Sequence, residues 1–376
     1  MAAPGKRTLE TIDLLRLLSA LAVLAYHYGS AFGRLPDPHL AGWARTPLPD
    51  GWLALSWCGW IGVELFFVIS GCVIAGSARG TSAGVFVGRR AARLFPAAWI
   101  CASLSLAALL LAGAQGPLLA EWLGAMALSP VGPWIDGVYW TLGVEIAFYA
   151  LVAALLAWRR VESLEPLGFA LAGVSLAYWL VVASGSLPAA WVWPRLADLL
   201  LLTHGGFFAL GIFIRAALDK GMTRRRLLAV ALCLVPVGIE IIAHAVRSAR
   251  ELGIAATPLA PMAIFALGVA AMLAANRLQP LLARRLRPGW AMAAGLATYP
   301  LYLLHQAAGT AVIAGLVRAG MPAPFAALLT GAAMLALALL IAATAEPWLR
   351  ARLVRAGSAL LRFRPAPIFV REHAER

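Results

Sequence analysis

Asp13, Arg16 and His27 lie within one apolar run of this chain, Glu64 within a second and Glu145 within a third. An ionisable group in such a run is costly and by default marks a site. An imidazole titrates near neutral pH, so a histidine beside carboxylates can accept and return a proton, either as a general base or as a step in a proton relay. Arg16 and His27 are eleven residues apart. On a helix they stand about 20° apart in azimuth and about 16 Å apart along the axis. Ala20 and Val23 share that stripe and leave room beside it. Glu64 and Glu145 each sit about two turns inside their helices from the outer side. Thr141, Glu145 and Tyr149, spaced four apart, share a face. The expectation is that His27, Glu64 and Glu145 meet at one level from three helices. Asp13 is spaced to pair with Arg16. Arg90 and Arg93 flank the start of a further apolar run, and Tyr299, Tyr302 and His305 enter from the inner side.

Plainer roles exist for the same residues. The buried carboxylates and histidine could form a structural charge cluster, Arg90 and Arg93 could be topological anchors, and His305 could be an interhelical hydrogen bonder. His204 and His244 have no matching partners in the sequence and read as packing residues.

Positioning these groups falls to long apolar segments. Of 376 residues, 62% are hydrophobic and 13% charged, about half the charged fraction of a soluble domain. Mean hydropathy is +0.83. A soluble enzyme, a disordered tail and a disulfide-stapled secreted domain are thereby excluded, and continuous apolarity without period-2 alternation argues against a membrane barrel. Runs of about 20 apolar residues fall near 12–33, 57–77, 95–114, 138–158, 167–184, 197–217, 226–246, 258–275, 293–317 and 323–345. Segment 118–129, with Glu121, is too short to span and is expected to lie at the interface or to dip in. The first run is too long for a signal-peptide core and no cleavage site follows it. The predicted fold is all-α, a polytopic integral membrane protein of about ten transmembrane helices.

With a cytoplasmic N-terminus, 24 basic residues fall in inside segments and 6 in outside ones, the bias that sets membrane orientation. Both termini are then expected in the cytoplasm, with 1–11 a short N-terminal segment, 12–346 the membrane domain and 347–376 a basic tail. This placement accounts for the net charge of +14 through the lipid bilayer alone, with no nucleic-acid partner. Cys58, Cys72, Cys101 and Cys233 show no CxxC and no histidine at metal spacing. They read as packing residues, and neither a metal site nor a permanently bound cofactor is expected.

The order of these pieces resembles the acyltransferase 3 family, polytopic membrane O-acyltransferases that modify sugars of bacterial surface polysaccharides and some macrolides. The resemblance runs over nearly the whole chain. It rests on Ile12-Asp13-Leu14-Leu15-Arg16 with ten residues to His27, on Glu64-Leu65-Phe66-Phe67-Val68-Ile69-Ser70-Gly71, and on Arg90-Ala91-Ala92-Arg93-Leu94-Phe95-Pro96. Trp140-Thr141-Leu142 with Glu145 and Tyr149, and Tyr299-Pro300-Leu301-Tyr302-Leu303-Leu304-His305, complete it. The resemblance implies a multi-pass enzyme of the bacterial plasma (inner) membrane. It would move an acyl group, usually acetyl, from cytoplasmic acyl-CoA (acetyl-CoA as co-substrate) to a hydroxyl of a surface polysaccharide, lipid-linked sugar or related glycoside, alongside polysaccharide-biosynthesis partners. Arg16 and His27 match the family's Arg-x10-His element, with the histidine as catalytic base. Arg90 and Arg93 match an Arg-x-x-Arg element associated with the acyl donor, and Glu145 matches the glutamate of the Trp-Ser/Thr-Leu-x-x-Glu motif. Ile146 stands where many members carry a second glutamate, and Cys72 where phenylalanine is common. The hydrolase-like extension of some members is absent from the sequence, so the membrane domain is expected to act alone or with a separate partner.

On that resemblance, His27 would take the hydroxyl proton as the oxygen attacks the thioester. Glu145 or Glu64 would orient the imidazole, as the third member of a triad does. Tyr149 or Thr141 would donate to the oxyanion, and Arg16, Arg90 and Arg93 would hold the phosphates of CoA, with Asp13, Tyr302 and His305 in support. The rival readings are a secondary transporter or flippase for a sugar-containing substrate and a non-catalytic export scaffold. The absence of an inverted repeat and of matched broken helices in the sequence argues against transport.

Overall fold

The computed structural model describes residues 10–37, 39–40, 47–158, 163–186, 195–287 and 289–362, with side chains as far as residue 356. Residues 1–9 of the expected N-terminal segment, 363–376 of the expected tail, and the basic residues Lys6, Arg7, Arg45, Arg159, Arg160, Arg364, Arg371 and Arg376 lie outside the described residues.

The chain is helical throughout the described residues. The helices are α1 (Glu10–Ala25), extended by a π-helical turn (Tyr26–Ala31), α2 (Asp50–Ser56), α3 (Ile61–Ser77), α4 (Ala83–Leu111), α5 (Leu118–Met126) and α6 (Trp140–Ala157). They continue as α7 (Glu165–Ala183), α8 (Arg195–Leu199), α9 (Gly205–Lys220), α10 (Arg224–Leu252), α11 (Leu259–Leu273) and α12 (Ala275–Arg285). The last four are α13 (Trp290–Leu304), α14 (Ala307–Arg318), α15 (Ala323–Ala343) and α16 (Ala345–Arg362).

Two of the long helices begin at side-chain caps. Ser82 accepts from Val85 N and opens α4 at Ala83, well ahead of the expected start at 95. Arg89, Arg90 and Arg93 therefore ride inside the helix instead of flanking it. Thr223 opens α10 in the same way, and Gly253 closes it in the left-handed conformation that ends helices.

Among the described residues, seven helices or helix continuations are long and apolar enough to cross a membrane. Two bent pairs, α11–α12 at 84° and α13–α14 at 67°, raise the number to nine. The expected ten falls short at 197–217, which folds as the five-residue α8 and the 16-residue α9. At 1.5 Å per residue α9 is about 24 Å long, less than a hydrocarbon core of about 30 Å. The bent pairs show that broken helices are present, which bears on the expectation that no matched pair of them exists. Charge and Pro/Gly punctuation do not separate a straight span from a sharply bent one.

Helix α3 sits at the centre, touching α1, α6, α9 and α11. Its approach to α9 is backbone against backbone. A Cβ on Gly71 would lie 2.2 Å from Phe208 O, and one on Gly211 would lie 2.1 Å from Val68 O. Small residues at a crossing are how helices pack in lipid, where no hydrophobic effect drives them together. Residues Gly205 to Ile214 are all buried, so α9 is wrapped on every side. On the periphery, Leu104, Leu110, Leu151, Leu180, Leu234, Leu267 and Leu328 point outward. Such exposed leucines suit contact with acyl chains.

Gly211→Ala should therefore lower the thermal unfolding midpoint of the detergent-purified protein, by overpacking that costs about 1–3 kcal/mol. Gly173→Ala in α7, where an added Cβ meets nothing within 4 Å, should leave it unchanged or raise it. Equal midpoints for the two variants would contradict the close crossing.

Candidate active site

A cavity of about 140 Å³ opens between α1, α3, α4, α6 and α13. Its polar lining comes from Arg16, Ser70, Arg90, Arg93, Thr141, Glu145, Tyr149, Thr298, Tyr299 and Tyr302. The shared face of Thr141, Glu145 and Tyr149 thus forms one wall, as the spacing on α6 requires.

Each charged group has a distinct setting. Glu145 Oε1 accepts from Ser70 Oγ at 2.7 Å and from Tyr149 OH at 2.5 Å, tying α6 to α3. Arg16 pairs with Asp13 at 3.2 Å, the expected i, i+3 bridge. Arg93 donates to Glu346 at 2.8 Å and lies over the Tyr299 ring. Arg350 binds the same carboxylate, so Glu346 fastens α16 to α4. Arg90 faces the Phe86 and Tyr149 rings at 5.7 and 5.9 Å. Among the described residues it is the cavity arginine with no carboxylate partner. The single hydroxyl proton of Tyr149 is given to Glu145, which leaves it no proton for the oxyanion role expected of it. Thr141 donates to Val138 O at 2.9 Å and lies 3.2 Å from Tyr302 OH.

His27 does not meet either glutamate. Its polar partners among the described residues are Val23 O and His305, each 3.0 Å from Nδ1. The reason lies at two breaks in regular helix. His27 stands in the π-helical turn that ends α1, which alters the azimuth a continuous α-helix would give it. His305 stands at the 67° bend between α13 and α14, beyond Pro300. Backbone groups freed at that bend are satisfied by side chains, as lipid requires. Tyr28 OH donates to His305 O at 2.9 Å, and Asp136 accepts from Ala307 N at 2.8 Å.

These partners fix the tautomers. His305 Nδ1 faces two carbonyls, Tyr302 O at 2.8 Å and Leu301 O at 3.2 Å, so it carries hydrogen. In the neutral ring, Nε2 of His305 then accepts from His27 Nδ1, which also faces a carbonyl. The lone pair of His27 is left on Nε2, with no partner among the described residues. Tyr302 links this pair to the cavity, lining the latter and packing 5.7 Å from the His305 ring.

Glu64 points elsewhere. Six residues separate it from Ser70 on α3, which turns it about 120° away from the cavity face. Its carboxylate lies 3.9 Å from His204 and 3.7 Å from His244, and Glu240 bonds the same His204 at 2.6 Å. The expected three-way convergence of His27, Glu64 and Glu145 is replaced by a histidine pair, a carboxylate bonded to two hydroxyls, and a separate cluster. His204 and His244 are not mere packing. The signal for that cluster was present, since Glu240 and His244 are four apart in an apolar run and so share a face. For Asp136 and Glu346, at the edges of apolar runs, no spacing rule pointed to a role.

The family described as "Acyltransferase domain" matches residues 9–344. Nodulation protein 10 of Rhizobium leguminosarum bv. viciae is 31% identical over 176 residues, 40% of this chain and 45% of that protein. The match thus spans under half of that relative's length. No solved structure matches. With nearly all of its helices inside the matched region, this membrane protein belongs to the acyltransferase 3 family.

Proposed function

We propose that the chain is a membrane O-acyltransferase that moves an acyl group, acetyl foremost, from cytoplasmic acyl-CoA to a hydroxyl of a surface polysaccharide, lipid-linked sugar or related glycoside, in the bacterial plasma membrane with both termini cytoplasmic. The observation that carries this reading is the 3.0 Å contact of His305 Nε2 with His27 Nδ1, which assigns the lone pair of neutral His27 to Nε2 beside an arginine-bearing cavity. In this reaction Nε2 accepts the proton of the acceptor hydroxyl while its oxygen attacks the thioester carbonyl. Collapse of the tetrahedral intermediate expels the thiolate, which takes the proton from imidazolium, so the products are ester and free thiol. His305 serves as a positioning residue, fixing the tautomer that a carboxylate fixes in a serine-hydrolase triad. Arg90, free of ion pairs among the described residues, suits the donor phosphates. Arg16 and Arg93 stand nearby with their charges already paired. Glu145 holds Ser70 and Tyr149 in place as a positioning group, and Glu64 is not part of the reaction.

Transport is the second reading, because α13–α14 is a broken helix with a histidine at the break. Family membership favours the enzyme. Incubating purified protein with labelled acetyl-CoA and a glycan acceptor distinguishes them, since acceptor-dependent thiol release belongs to the enzyme and vesicle uptake without thiol release to a transporter.

His27→Gln should reduce acceptor-dependent turnover by about 10²–10⁴-fold, the range of a lost general base, with unchanged elution and yield. Wild-type rates in that variant would remove His27 from the mechanism. His305→Gln, whose amide oxygen can still accept from His27, should retain more activity than His305→Ala and shift the pH–rate profile. An unaltered profile in both would reduce His305 to packing. Arg90→Ala should raise KM for acetyl-CoA by roughly 10–100-fold, the worth of a charged hydrogen bond, and leave KM for phosphate-free acetyl-pantetheine unchanged. A parallel rise for both donors would place Arg90 outside phosphate recognition.

A further inference from the structure

Two carboxylates, Glu64 on α3 and Glu240 on α10, are each 1% exposed and face one another across His204 at the start of α9. Buried carboxylates are paired with cations or bound to metal. Neither has an arginine or lysine ion pair among the described residues. Glu64 Oε2 is buried with no hydrogen bond at all. A protonated carboxyl there would need an acceptor and an ionised one a donor, and neither lies within reach. What does surround it is a set of metal-ligand atoms.

Donor atoms of Glu64, His204 and Glu240 lie within 4.8 Å of one another. Bonds of about 2.0–2.2 Å from zinc to nitrogen and oxygen put tetrahedral ligand atoms roughly 3.4 Å apart. His204 Nδ1 lies 2.6 Å from Glu240 Oε1 and 3.9 Å from Glu64 Oε2, bracketing that spacing. His244 borders this group through Glu64. His244 Nδ1 is 3.7 Å from Glu64 Oε1, and its ring is held flat against Trp60 at 3.9 Å. The second ring nitrogen of His204 turns to Asp198 Oδ1 at 3.5 Å, and Thr203 Oγ1 donates to Asp198 Oδ1 at 2.8 Å. A carboxylate behind a ligating histidine is the usual way such a ring is oriented and made more basic.

We propose that Glu64, His204 and Glu240 form a three-ligand site for a divalent zinc-class ion that clamps α3, α9 and α10 together, with His244 beside Glu64 as a supporting group. Two carboxylates balance the charge of the ion, and the imidazole favours a first-row transition metal over magnesium or calcium. Because its ligands come from three separate helices, the part of the ion is to hold those helices together. The half-exposed edge of His244 provides the access route. The clamp lies on the side of α3 turned away from the cavity, so it fixes the helix that carries Ser70 without entering the reaction.

The test uses the full chain purified in detergent without a polyhistidine tag, and its readouts are independent of acyl transfer. Metal analysis by mass spectrometry should find about one equivalent of divalent metal per chain. Chelator treatment should lower the thermal midpoint, and added Zn²⁺ should restore it. Co²⁺ in its place should give the visible absorption of a tetrahedral nitrogen–oxygen site. Glu240→Gln and His244→Ala should each cut metal retention at least about tenfold, whereas His305→Gln, in the other histidine pair, should retain it. If variants of the cluster fail to fold, the chelation and reconstitution of wild-type protein decide. Wild-type protein that holds under about a tenth of an equivalent after incubation with Zn²⁺ or Co²⁺, with no shift in midpoint, would mean that protons and not a metal neutralise the cluster.

Discussion

Inside a bilayer no water is available to satisfy a polar group, so each one must find its partner within the protein. That requirement shapes most of what distinguishes this molecule from a bundle of apolar helices. It places Tyr28 on His305 O and Asp136 on Ala307 N, closing the bend between α13 and α14. It places Ser70 and Tyr149 on Glu145, and it sets Glu346 between Arg93 and Arg350. The candidate chemistry is the remainder after these obligations are met. Among the described residues, His27 Nε2 and the Arg90 guanidinium stand out at the cavity because neither has a hydrogen-bond or ion-pair partner.

Two polar assemblies share α3 as a wall. On one face Ser70 binds Glu145 within the cavity, and on another Glu64 turns toward α9 and α10. The separation follows from helix geometry, because six residues carry the second group about 9 Å along the axis and about 120° around it. The Gly71–Gly211 crossing locks α3 against α9 between them. A shift of α3 would disturb both assemblies at once, even though no side chain is common to the two.

Much of this was legible in the sequence. Apolarity gave the all-helical membrane fold, four-residue spacing gave the Thr141–Glu145–Tyr149 wall, and three-residue spacing gave the Asp13–Arg16 pair. Periodicity assumes a continuous α-helix, and the misreadings fall where that assumption fails. The π-helical turn at Tyr26–Ala31 and the bend after Leu304 bring together His27 and His305, 278 residues apart, which no local spacing could indicate. Depth alone likewise suggested that Glu64 and Glu145 meet, whereas azimuth on α3 sends Glu64 away. Glu240 was recoverable from its four-residue step to His244 and was obscured by the apolar residues around it.

The brevity of α9 has its own consequence. A helix about 24 Å long leaves part of its passage to be completed by irregular chain, and residues 200–204 supply it. Carbonyls freed there would be intolerable against lipid, but Leu201 O and His204 O accept from Gly205 N and Phe207 N, and Ser175 and Trp179 of α7 both donate to Thr203 O. The interruption thereby turns His204 inward at a depth where an uninterrupted span would have presented another leucine. A missing helical turn, sheltered by its neighbours, creates a polar chamber in the middle of a greasy protein.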